Sequence, residues 1–147
     1  KTLNTNSQIH LATTADINNT SHMKKIISTN EAPAAIGPYS QAIETNDTLY
    51  ISGQIPINPQ NGSLVDGNIE AQTHQVLKNI GAILKAAGHE YSNVVKTTCL
   101  LADIEDFAAF NNVYAEYFKD NAPARACFAV KALPKGAKLE IEVISVK

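Results

Sequence analysis

Apolar and polar positions follow a regular order from residue 24 onward. KKIIST (24–29) is a short β-branched run and predicts a first strand. NEAPAAIGP (30–38) holds two prolines and a glycine and predicts a loop. YSQAIET (39–45), the polar NDT and LYISGQI (49–55) predict a β-hairpin. Pro56, Pro59 and the Asn61-Gly62 pair then predict a turn-rich loop. In NIEAQTHQVLKNIGAILKAAGHE the residues Ile69, Val76, Leu77, Ile80, Ile83, Leu84 and Ala87 fall on one helical face. Asn68 suits the N-cap of that helix, Glu70 its first turn and Gly88 its stop.

VVKTTCLLAD (94–103) is β-branched at its start and apolar at its end, which suits a central strand. Phe107, Phe110, Val113, Tyr114 and Tyr117 recur at helical spacing, so a second helix is expected over about 104–118, capped by Asp103. DNAP (120–123) ends it. RACFAVKAL (125–133) and KLEIEVISV (138–146) flank Pro-Lys-Gly-Ala and predict a second hairpin. The order is then β-ββ-α-β-α-ββ. It predicts an α+β fold, with a mixed sheet and two helices packed on one face.

The last strand sets a condition on the whole molecule. Leu139, Ile141 and Val143 point to one side, while Glu140, Glu142, Ile144 and Val146 point to the other. Two helices cover only one face, so the second, partly apolar face calls for cover from outside the chain. Self-association into a closed ring is the simplest source. A site at such a junction is dry enough to strengthen a contact between an arginine and a carboxylate.

Composition narrows the function classes. The chain has 147 residues, is 44% hydrophobic and 18% charged, and carries a formal net charge of -2. With no basic run, nucleic acid is not the expected partner. No apolar run is long enough for a transmembrane helix, so no membrane partner is expected. Cys99 and Cys127 lack metal-ligand spacing and read as small buried thiols of a reducing, cytoplasmic compartment. His10, His22, His74 and His89 form no ligand cluster, so no metal site is expected. Residues 1–22 are polar, without sustained period, and end in Ser21-His22, which with Met23 makes Ser-His-Met. They read as a cloning remnant or a disordered extension and are set aside from the fold.

One residue stands out chemically. Arg125, in PARAC (123–127), is the only arginine; every other cation is a lysine. A guanidinium grips a carboxylate through two parallel hydrogen bonds, which an ammonium cannot do. The plain alternative is a surface cation.

Several segments carry a family resemblance. APAAIGPYSQA (32–42), SGQIPINPQNG (52–62), QTHQVLKNIGAILKAAG (72–88), VVKTTCLLADIEDFAAFNNVY (94–114), PARACFAV (123–130) and LPKGAKLEIEVISV (133–146) together resemble the RidA family, also called YjgF. The resemblance runs through residues 24–147 in order, so residues 23–147 are expected to form a single RidA-like domain. It implies a chorismate-mutase-like α+β fold and a homotrimer with clefts between subunits. It also implies hydrolysis of reactive 2-imino or enamine acids, such as 2-iminobutanoate and 2-iminopropanoate, to 2-keto acids and ammonia, with no metal or organic cofactor.

The same resemblance assigns residues. Arg125 matches the family's substrate-carboxylate arginine, and Glu140 the glutamate that activates the hydrolytic water. Tyr39, Gly53, Asn111 and Cys127 match positions around the ligand, and Ser52, beside Gly53, is a weaker candidate. Cys127 lacks a His-Asp partner to activate it and need not be a nucleophile. Ala122 departs from the pattern, because many members carry an aromatic residue there; that implies a cleft more open on that side. Two other readings fit the same chain. A non-enzymatic ligand-binding or regulatory trimer would need Arg125 but not Glu140. A ribonuclease or translation inhibitor fits the acidic balance and the absence of a histidine pair less well.

Overall fold

The computed structural model describes residues 23–147; the reading of residues 1–22 lies outside the described residues. Six strands form one mixed sheet. They are β1 (Lys25–Ile27), β2 (Ala42–Thr45), β3 (Thr48–Gln54), β4 (Val94–Leu101), β5 (Ala124–Ala129) and β6 (Leu139–Val146), and they lie in the order β1-β2-β3-β6-β4-β5. Helices α1 (Ile69–Ala86) and α2 (Phe107–Tyr117) pack over one face of the sheet and against each other.

The local predictions hold where the signals are local. The β2–β3 hairpin turns through Asn46 and Asp47, whose positive φ values of 47° and 62° match the twist of paired strands. At the start of α1, the Asn68 side chain accepts the Ala71 N–H at 2.9 Å. The helix ends before Gly88, whose φ of 73° puts it in the left-handed region that stops helices. The second helix opens as a 3-10 turn at Ile104–Asp106, capped by Asp103, and continues as α2.

The predicted second hairpin does not form. β5 ends at Ala129 and pairs parallel with β4, while β6 crosses to the middle of the sheet and runs antiparallel to both β3 and β4. The Pro134–Gly136 segment is a 3-10 turn within that crossing. The physical reason lies in the strands' two faces. β6 carries buried Leu139, Ile141 and Val143 on one side and Ile144 on the other, so a central place buries most. β5 ends in exposed Phe128 and Ala129 and suits an edge.

One core fills the space between sheet and helices. Leu49, Ile51, Leu139, Ile141 and Val143 of the sheet meet Val76, Leu77, Ile80, Ile83 and Leu84 of α1 and Phe110 and Tyr114 of α2. Among the described residues, nothing covers the opposite face. There, Ile26, Ile43, Tyr50, Ile144 and Lys96 form a cross-strand row, with Ile26 and Tyr50 exposed. The sequence expectation of a second apolar face is met within this chain. No helix among the described residues is long and apolar enough to cross a membrane.

Candidate active site

Gln41 organises the loop that precedes the β2–β3 hairpin. Its carbonyl oxygen accepts the Thr29 N–H at 2.7 Å, and its amide donates to the carbonyls of Thr29, Ala32 and Pro33. This staple, buried to 3% exposure, fixes the turn that delivers Tyr39. The Tyr39 ring is half exposed, and its hydroxyl accepts the Ile36 N–H at 3.2 Å. Ser52 ties β3 to the same loop, with its hydroxyl donating to the Ser40 carbonyl at 2.6 Å.

A cleft of about 400 Å³ opens between this loop and β6, lined by Ile36, Tyr39, Ser52, Gly53, Lys135 and Glu140 among others. Gly53 sits where the β3–β6 register shifts between Ile51 and Gln54. A Cβ at this position would collide with the Glu140 carboxylate, so glycine is what lets that side chain lie flat against β3. Burial holds the Glu140 carboxyl above the usual carboxylate range, and the neighbouring Glu142 charge adds to this. The result is a partly desolvated carboxylate over bare backbone, the environment of a general base.

Arg125 lies elsewhere. On β5 it pairs in register with Thr97 and thus stands on the helix-covered face, at the sheet edge. Its Nη1 donates to Asn111 Oδ1 at 2.8 Å. The guanidinium carbon rests 4.8 Å from the centre of the Tyr114 ring, and 5.6 and 5.7 Å from those of Phe107 and Phe110. Cys127, two residues on, is half buried; burial pushes its thiol up while Arg125 pulls it down. Cys99 beside it is pushed up to about 12, chiefly by burial. Both are therefore neutral thiols near pH 7, neither a ready nucleophile.

The candidate residues thus fall into two sets. Tyr39, Ser52, Gly53 and Glu140 meet in the cleft. Asn111, Arg125 and Cys127 meet at the β5–α2 edge, on the other face of the sheet. A single chain does not bring the two sets together. The cation that lines the cleft is Lys135, in the 3-10 turn with a φ of 57°, which the sequence reading passed over as a turn residue. Gln41 was missed too, although its position inside the IGPYSQA segment was the signal available. Among the described residues, no group of three His, Cys, Asp or Glu side chains is placed to hold a metal ion.

Residues 29–147 match the family described as endoribonuclease L-PSP, which is the RidA family. The chain belongs to the RidA family. It is 54% identical over 125 residues to the human protein named 2-iminobutanoate/2-iminopropanoate deaminase, an alignment that covers 85% of this chain and 91% of that one. The Rid-family protein YyfA of Yersinia pestis superposes with a TM-score of 0.83 at 54% identity, over 85% of this chain and 100% of that one. The E. coli protein TdcF, solved with bound serine, superposes at 0.81 with 42% identity, over 84% and 99%. The six-stranded mixed sheet with two helices is therefore the RidA fold, as the sequence resemblance implied. In this RidA member the cleft residues and the arginine lie on opposite faces of the sheet.

Proposed function

We propose that the protein hydrolyses reactive 2-imino acids, such as 2-iminobutanoate and 2-iminopropanoate, to 2-keto acids and ammonia. Five mammalian relatives, 54–56% identical over 125 residues, carry that activity in their names. The observation that carries the reading here is the placement of Glu140. Its carboxyl is held above the ordinary range, over a glycine, in a cleft large enough for a small acid.

The chemistry follows from these groups. The imine carbon is already electrophilic, so the protein needs to hold the acid group and deliver water. Glu140 accepts a proton as water adds to the carbon of the protonated imine, giving a neutral carbinolamine. It returns that proton to nitrogen, and as the C–N bond breaks and ammonia leaves, the hydroxyl gives its proton back to the same carboxylate, leaving the 2-keto acid. Arg125 takes the substrate carboxylate as a two-pronged clamp. Tyr39, Ser52 and Gly53 line the approach, and Asn111 and Cys127 flank the clamp.

For Arg125 and Glu140 to act on one substrate, they must come from two chains. A homotrimer whose subunits cover one another's open faces supplies that arrangement, with a site at each junction. The apolar row of Ile26, Tyr50 and Ile144 favours such cover.

The test is hydrolysis of freshly generated 2-iminobutanoate, followed by stopped flow, with the parent protein and Arg125→Ala. Acceleration that disappears in the variant is the expected result. A folded parent that leaves the hydrolysis rate at its value in buffer overturns the deaminase reading and returns the cleft to a role in binding alone.

A further inference from the structure

The Arg125 guanidinium is packed more closely than a free clamp requires. Aromatic rings from three α2 residues surround it, and the closest, Tyr114, lies beneath it at 4.8 Å. Tyr114 is itself fixed: it is 6% exposed, and its hydroxyl shares a 2.7 Å hydrogen bond with Thr97 Oγ1. Thr97 is wholly buried and is the strand neighbour of Arg125 in the β4–β5 register. The ring under the guanidinium is therefore pinned to the strand next to the one that carries the arginine. Burial pushes the Tyr114 hydroxyl up to about 12, so the group under the cation stays neutral. On the rim, Asn111 occupies Nη1, and among the described residues Nε and Nη2 make no hydrogen bond. Those two nitrogens form the side-on edge of the fork, which matches a carboxylate.

We propose that Tyr114, with Phe107 and Phe110, is a positioning residue that holds Arg125 flat, so that its Nε–Nη2 edge is presented to the substrate carboxylate. This rests on the reading of Arg125 as the clamp. The face of an aromatic ring attracts a guanidinium and stacks with its plane, so the cradle fixes both place and tilt before substrate arrives. A flexible arginine must lose its rotamer freedom on binding; one already ordered does not.

The experiment measures the dissociation constants of 2-oxobutanoate and of its uncharged amide, 2-oxobutanamide, with the assembled protein. Tyr114→Leu removes the ring, Tyr114→Phe keeps it, and Phe107→Ala trims the half-exposed outer wall with little risk to the core. Tyr114→Leu is expected to weaken the acid by about 5- to 30-fold, and Phe107→Ala by about 3-fold, with the amide unchanged. Tyr114→Phe should restore the acid to within about 3-fold of the parent, because the ring carries the effect. In the Arg125→Ala background, Tyr114→Leu should change nothing further.

Folded Tyr114→Leu and Phe107→Ala proteins that bind the acid as the parent does, or lose acid and amide alike, overturn the proposal. If Arg125→Ala alone weakens the acid while the cradle variants do not, the clamp stands and the cradle falls. If Arg125→Ala binds the acid as tightly as the parent, the clamp reading fails and this inference fails with it.

Discussion

At the scale of single residues, Glu140 carries the clearest electrostatic signature. Burial first and the Glu142 charge second hold its carboxyl above the ordinary carboxylate range. A general base works only when ionised, so kcat/KM should fall as pH drops through this raised value. Glu142 is exposed, and its share of the shift is screened by solvent and salt. Glu142→Gln should therefore move the acid limb of the pH profile down, by less than the part that burial holds. Profiles recorded at low salt check this. A limb that stays in place assigns the titration to a group other than Glu140. The arginine was legible in the sequence because it has no second copy. Lys135 and Gln41 were not, since one depends on a turn within a crossing and the other on which backbone groups a loop brings near.

At the scale of elements, legibility tracked the distance over which the decisive interaction acts. The period of α1 and its Asn68 cap are written within a few turns of helix, and both appear as expected. The Asn46-Asp47 turn is likewise local. The place of β6 is not, because it depends on β3 and β4 offering two faces for Leu139–Val146 to fill. A Pro-Lys-Gly-Ala segment looks the same whether the next strand turns back or crosses over. That crossing is what sets Glu140 opposite Gly53, and it yields a sharp prediction. Gly53→Ala places a methyl group where the Glu140 carboxylate lies, so that side chain must leave its seat over β3 and swing out into the cleft. The variant should keep the sheet, by far-ultraviolet circular dichroism, yet lose about 10²-fold in kcat, the low end of what one general base contributes. Full activity in Gly53→Ala would mean that the seat over residue 53 is not the working position of Glu140.

At the scale of the whole molecule, the division of the candidate residues between two faces of one sheet is the feature with the widest consequence. Arg125 looks out past α2, while Glu140 looks into the cleft on the face away from the helices. No side-chain rotation joins them through the sheet. If each working site takes Arg125 from one subunit and Glu140 from the next, two inactive variants should repair each other. Arg125→Ala subunits retain the glutamate, and Glu140→Gln subunits retain the arginine. Mixed, unfolded and refolded together in equal amounts, they should assemble at random into rings. A junction is then complete when each neighbour supplies its intact half, which happens at about one quarter of junctions in a closed ring. Activity on 2-iminobutanoate should recover to about that fraction of the parent, while each variant refolded alone stays inactive. Recovery should also follow the mixing ratio, peaking at equal amounts and falling to either side. If refolded mixtures form the same oligomer but remain inactive at every ratio, the two halves do not meet across a subunit boundary, and the shared site is wrong.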